Sequence, residues 1–107
     1  MITVNLYYTS ENGAARAFAA EMTSSGTAAA IRAEDGNLRY EYYQSFDDPE
    51  TVLLIDSWED QAAIDLHHAS SMMATIAALR EKYDLHMTVE RFTDADAPAT
   101  DSRFIRK

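Results

Sequence analysis

The chain has 107 residues, 47% of them hydrophobic, which suffices for one domain with a modest core and no more. A formal charge of −9, with Lys82 and Lys107 as the only lysines, excludes the phosphate-neutralising surface that nucleic acid or an anionic membrane demands. The lack of any cysteine excludes disulfides, thiolate nucleophiles and Cys-ligated zinc or iron–sulfur clusters, and fits a reducing cytoplasm.

Residues Ile2 to Tyr8 are rich in β-branched and aromatic types and predict a first strand. Ile2, Val4, Leu6 and Tyr8 alternate with Thr3, Asn5 and Tyr7, so neither face is plainly polar, as in a strand covered on both sides. This start lacks the basic and long apolar regions of a secretory leader, and no apolar run reaches membrane-spanning length. A cytoplasmic location is the expectation. Ser10-Glu11-Asn12-Gly13 is a turn with several N-cap candidates. From Ala14 the chain is Ala-rich, with Phe18 and Met22 four apart on one helical face, and Ser24-Ser25-Gly26 interrupts it. The helical pattern resumes from Thr27 to Glu34 and stops at Asp35-Gly36-Asn37.

Leu38 to Phe46 predicts a second strand and Thr51 to Trp58 a third, joined as an antiparallel hairpin through Asp47-Asp48-Pro49-Glu50. Asp60 is placed to cap a helix through Ile64, His67, Met72, Ile76 and Leu79 to about Tyr83, with Ser70-Ser71 as a break or kink. His86 to Phe92 predicts a fourth strand. The order β, α, β, β, α, β is the ferredoxin-like arrangement of an α+β domain, spanning residues 1–92. Residues 93–107 are polar and read as a C-terminal tail. Its Phe104-Ile105 pair is either a docking element for a partner subunit or part of a disordered end.

Three segments in order resemble the antibiotic biosynthesis monooxygenase family. They are Glu34-Asp35-Gly36-Asn37-Leu38-Arg39-Tyr40 leading into the second strand, Asp56-Ser57-Trp58-Glu59-Asp60 closing the third, and His67 nine residues after Trp58. The likeness covers about residues 1–92. It implies a dimeric α+β barrel, in which helices cover one face of a four-stranded antiparallel sheet and the other face meets a second copy. A domain this small buries only about 65% of its unfolded-chain surface, which independently favours such a homodimer.

The family holds cofactor-independent oxygenases of polyketide quinols, quinol monooxygenases, haem-degrading enzymes and an isomerase of a phosphorylated sugar, so the resemblance alone does not settle the reaction. The polyketide branch has an Asn four residues before the Trp and a Tyr six after it, where this chain has Leu54 and Ile64. The haem-degrading branch has a Trp and a His where this chain has His67 and Ala77, so haem would lack its axial anchor.

His67 is the candidate catalytic base, against the plain alternative of a satisfied core histidine. Asn5 is polar in an otherwise buried-looking strand and either has a structural partner or faces a ligand, with Tyr7 on the same face. Trp58 either stacks on an aromatic substrate or caps the core. Tyr40 and Tyr42 share one face of the second strand, where aromatic residues more often serve the core or a dimer interface, and Tyr42 is the candidate for holding a substrate oxygen instead. Isolated glycines at 13, 26 and 36 make no phosphate loop, and no spacing argues for a metal cage.

The expected site is therefore a pocket between helices and sheet lined by Asn5, Tyr7, Trp58 and His67. The expected function is oxygenation of an aromatic quinol or polyketide phenol by O₂ without a cofactor. The alternatives are an isomerase or other base-driven enzyme on a small carbonyl compound, and a non-catalytic dimeric binding or stress protein.

Overall fold

A computed structural model describes all 107 residues. Its elements run β1 (Ile2–Thr9), α1 (Ala14–Ser24), α2 (Thr27–Arg32), β2 (Asn37–Gln44), β3 (Thr51–Trp58), α3 (Gln61–His68), α4 (Met72–Lys82) and β4 (His86–Thr93). A short 3₁₀ turn, Ala99–Phe104, lies in the wholly exposed C-terminal segment. The expected βαββαβ order holds, with each of the two helical crossovers split in two. The first split falls at Gly26, whose φ of +81° ends one helix and starts the next. The second falls at Ala69 to Ser71, where Ser70 N–H turns back to the His67 carbonyl.

All pairings in the four-stranded sheet are antiparallel and the strand order is β2-β3-β1-β4, the ferredoxin-like topology. In register, Leu6 lies opposite Leu54 and Val89, and Val4 lies opposite Asp56 and Arg91. Because side chains alternate along a strand, this fixes which residues share a face. The helix-covered face carries Leu6 and Tyr8 from β1, Tyr40 from β2, and Val52, Leu54 and Trp58 from β3. Against it pack Phe18 and Met22 of α1, Ile31 of α2, Ile64 of α3, and Ile76 and Leu79 of α4. Full burial of side chains this large is worth about 1.5–3 kcal/mol each.

The other sheet face carries no helix. Leu53 and Ile55 are half-buried there, and Phe92 is 50% exposed. A strand covered on both sides was the expectation for β1; within one chain its outer face has only neighbouring strands for cover.

One close approach sets the distance between α3 and the turn before β2. Gly36 has a φ of +83°, and its carbonyl accepts the Glu59 N–H at 2.8 Å. A methyl on Gly36 would sit 2.6 Å from the Ala63 Cβ. Gly36→Ala is therefore expected to lose about 2–4 kcal/mol of stability, from left-handed strain and overpacking together, read as an earlier urea midpoint at unchanged m-value.

Candidate active site

The site grows out of β3. Leu54, Asp56 and Trp58 occupy alternate positions on the helix-covered face, so a carboxylate is set between two core residues. Trp58 is 1% exposed, and its Nε1–H donates to Asp56 Oδ1 at 2.7 Å. Asp60 accepts the Ala63 N–H at 2.9 Å and so starts α3, which turns Ala63, Ile64 and His67 inward. The His67 ring then stacks on the Trp58 indole, with centroids 4.8 Å apart and planes at 29°.

Behind this stack stands Glu34. The turn from Glu34 to Asn37, closed by Asn37 N–H to the Glu34 carbonyl at 3.2 Å, brings that side chain to His67. Glu34 Oε1 and His67 Nδ1 are 2.9 Å apart. A carboxylate only accepts, so this bond places a proton on Nδ1, and in the neutral ring the lone pair is then on Nε2. Nε2 makes no hydrogen bond to the protein and is not sealed off, which leaves it for the adjoining cavity.

That cavity, about 240 Å³, lies between sheet and helices. Its apolar walls include Leu6, Leu54, Ile64, Met73 and Ile76. Its polar groups are Asp56, His67, Tyr40 and Arg80, with His68 and Arg91 exposed at the mouth. Arg80 donates through Nη2 to the Tyr8 hydroxyl at 2.8 Å, while its buried Nε has no partner. The Tyr40 and Tyr42 hydroxyls are 3.2 Å apart, and burial pushes both phenols well above their ordinary value. Burial also dominates at Asp56 and lifts its carboxyl to about 6, against the weaker lowering effects of the Trp58 N–H, His67 and Arg80. No three His, Cys, Asp or Glu side chains converge on one point as a metal cage would require.

His67 and Trp58 thus meet at the cavity as expected, although Trp58 spends its ring face on His67 and its N–H on Asp56 rather than facing a substrate. Asn5 and Tyr7 are corrected. They occupy the odd positions of β1 and point to the helix-free face, because Leu6 and Tyr8 at even positions take the core. There Tyr7 lies near Glu90, which raises its phenol by a hydrogen bond and by like charge, while the buried Asn5 Oδ1 has no partner. Tyr42 shares the helix-covered face with Tyr40, yet its ring packs edge-on against Phe18 at 5.9 Å and Tyr40 takes the place on the cavity wall.

Asp56, Glu34 and Arg80 did not emerge as site residues from the sequence. Asp56 left a signal as the one charged position in the core-facing alternation Val52, Leu54, Asp56, Trp58. Arg80 left another, one turn after Ile76 on the buried stripe of α4.

The antibiotic biosynthesis monooxygenase family profile matches residues 1–79. No curated protein matches the chain in sequence. Among solved structures, a Pseudomonas aeruginosa protein is similar at 24% identity and a TM-score of 0.74, over 89% of this chain and 94% of its own. A Mycobacterium tuberculosis protein is similar at 22% identity and 0.74, over 92% and 98%. So is SnoaB, a cofactor-independent oxygenase from Streptomyces nogalater, at 17% identity and 0.74, over 92% and 96%. At these identities the structures establish the shared fold.

The raised Asp56 carboxyl makes stability depend on pH in a definite direction. Its acid form is favoured by the fold, so that stabilisation is complete below about 3.8 and is lost as pH rises through about 6. The loss is on the order of 3 kcal/mol. Asp56→Asn carries no such penalty, and its melting temperature is expected to exceed the wild type's by several degrees at pH 8 while matching it near pH 4.

Proposed function

This chain belongs to the antibiotic biosynthesis monooxygenase family, and on that premise we propose that it oxygenates an aromatic quinol or polyketide phenol with O₂ and no bound cofactor. The observation that carries the reading is the Glu34–His67–Trp58 stack, which presents the imidazole Nε2 to a largely apolar cavity. An electron-rich phenolate reduces O₂ by itself. The protein's part is to remove the proton, exclude water and hold the ring.

In this mechanism His67 Nε2 takes a proton from the phenol or its keto tautomer. Glu34 offsets the positive charge that develops on the imidazolium, and Trp58 keeps the ring from swinging away. The resulting carbanion passes an electron to O₂ and recombines as a carbon-bound peroxide. Loss of water then leaves a new carbonyl, so that CH₂ and O₂ become C=O and H₂O. The likeness in fold to SnoaB is in keeping with chemistry of this class.

Cavity size favours the small end of the substrate range. An apolar cavity of roughly 150 Å³ accepts benzene. The 240 Å³ here suits one or two fused rings, with any larger body projecting past His68 and Arg91 at the mouth.

The helix-free sheet face supports a homodimer, and the acidic, cysteine-free composition is in keeping with a cytoplasmic enzyme. No helix is long and apolar enough to cross a membrane. On that sheet face, Asn5 Oδ1 is buried without a partner, and Ile55 and Leu53 have half their cover.

Oxygen uptake by chelator-treated protein against a panel of one- and two-ring quinols tests the activity. Wild type is expected to exceed autoxidation, and His67→Ala to lose about 10²–10⁴-fold in kcat. Uptake by wild type that His67→Ala leaves intact would remove the base, and isomerised product without oxygen uptake would favour the alternative base-driven reaction. By sedimentation, wild type is expected at twice the 12.0 kDa chain mass, and Ile55→Glu at the monomer mass.

A further inference from the structure

The site holds a second group with a free oxygen on the cavity wall. Asp56 Oδ1 is occupied by the Trp58 N–H at 2.7 Å, whereas Oδ2 has no partner and is not sealed away from the cavity. The same indole therefore fixes two groups, with its face under the His67 imidazole and its edge on the Asp56 carboxyl. In the sheet, Asp56 is flanked by Val4 on β1 and Tyr40 on β2, so its position is set by two paired strands rather than by a loop.

We propose that Asp56 is the acid of this site, delivering a proton from Oδ2 to the peroxide formed when the substrate carbanion captures O₂. This rests on the oxygenase reading above. That reading needs two proton deliveries to oxygen and two removals from the substrate, and His67 alone performs one of each. His67 Nε2 first takes a proton and becomes imidazolium. The carbanion adds to O₂, and Asp56 protonates the distal peroxide oxygen, giving a hydroperoxide and a carboxylate. That carboxylate then removes the remaining C–H proton while the O–O bond breaks and the C=O bond forms. The departing hydroxide takes the imidazolium proton and leaves as water. Both side chains return to their starting forms, and O₂ is the only oxidant.

The surroundings suit the role. The charged and titratable groups near Asp56 are His67 on α3, Glu34 beyond α2, Arg80 on α4, Tyr8 on β1, Tyr40 on β2 and Arg91 at the β4 edge. Burial outweighs the cations among them, and the carboxyl holds its proton up to about 6, where an ordinary aspartate has lost it. Two titratable groups on one cavity, His67 with its Nε2 unpaired and Asp56 with its Oδ2 unpaired, are placed to work as a base and an acid.

Asp56→Asn keeps an oxygen to accept the Trp58 N–H and removes the proton, so the site's shape survives while the step does not. Stopped-flow turnover with a quinol that wild type oxidises is the test. Formation of the substrate anion is expected to be unchanged in Asp56→Asn and KM to stay within twofold. Decay of the peroxide and kcat are expected to fall at least 100-fold. Asp56→Glu should recover part of that loss. Wild-type kcat should also show an alkaline limb near 6 that Asp56→Asn lacks, a readout that needs no comparison of folded yields. Wild-type turnover rates in Asp56→Asn, or a wild-type kcat flat from pH 6 to 9, would overturn the acid role and leave His67 in place. Wild type that consumes no oxygen would instead overturn the oxygenase reading, and this step with it.

Discussion

The Trp58 indole is the element on which the rest of the site depends, because it is held at the end of β3 and spends both its ring face and its N–H. Its face supports His67 and its edge holds Asp56. Two residues apart on one face of a strand, Asp56 and Trp58 are near enough for the indole nitrogen to reach back to the carboxylate. The imidazole is itself buried, and Glu34 holds its Nδ1. Four side chains from three separated stretches are thus joined by direct contacts. For the proposed reaction this rigidity matters, because an error of about 1 Å in such a constellation would cost a large part of the rate.

That commitment has a thermodynamic side. Asp56, Tyr8, Tyr40, Tyr42 and Arg80 place polar atoms where a core of this size would gain more from aliphatic ones. Arg80 forms no ion pair, and its Nε is buried without a partner. Each such group costs folding free energy that an apolar residue would not. Asp56, Tyr40 and Arg80 gather on the walls of one cavity, with Tyr8 and Tyr42 bonded to them from the core, and this concentration argues that the cavity is shaped for a ligand rather than for stability.

The elements and their order were legible because the chain's periods are clean: β3 alternates, α1 repeats every fourth residue, and turns carry Gly, Asp and Pro. The meeting of Trp58 and His67 was legible through the motif order. The faces of β1 were not. Its even and odd residues are both mixed, so its parity is decided only by pairing, Leu6 with Leu54 and Asn5 with Ile55, against a β3 whose core face is unambiguous. The Glu34–His67 bond was invisible for a different reason. It spans 33 positions and joins two segments that meet where Gly36 approaches Ala63, a contact no local pattern announces.

The misplaced residues say something about the fold nonetheless. Asn5 and Tyr7 looked like ligand contacts because they are polar groups in a strand with apolar neighbours on both sides, and that reading of their surroundings is sound. What it describes is the helix-free face. Its Leu53 and Ile55 are apolar, its central Asn5 oxygen is shut off from water without a hydrogen bond, and Phe92 stands half exposed at the β4 side. A surface meant for water would give Asn5 a solvent partner and would not place Ile55 between Ser57 and Leu53. In the proposed homodimer, a second copy of the same face would supply apolar cover and amide donors at once, by self-complementarity. The two faces of the sheet thus differ in kind, with a cavity carrying polar groups under the helices and an apolar surface on the bare side, and strict two-residue alternation keeps the two sets of side chains apart.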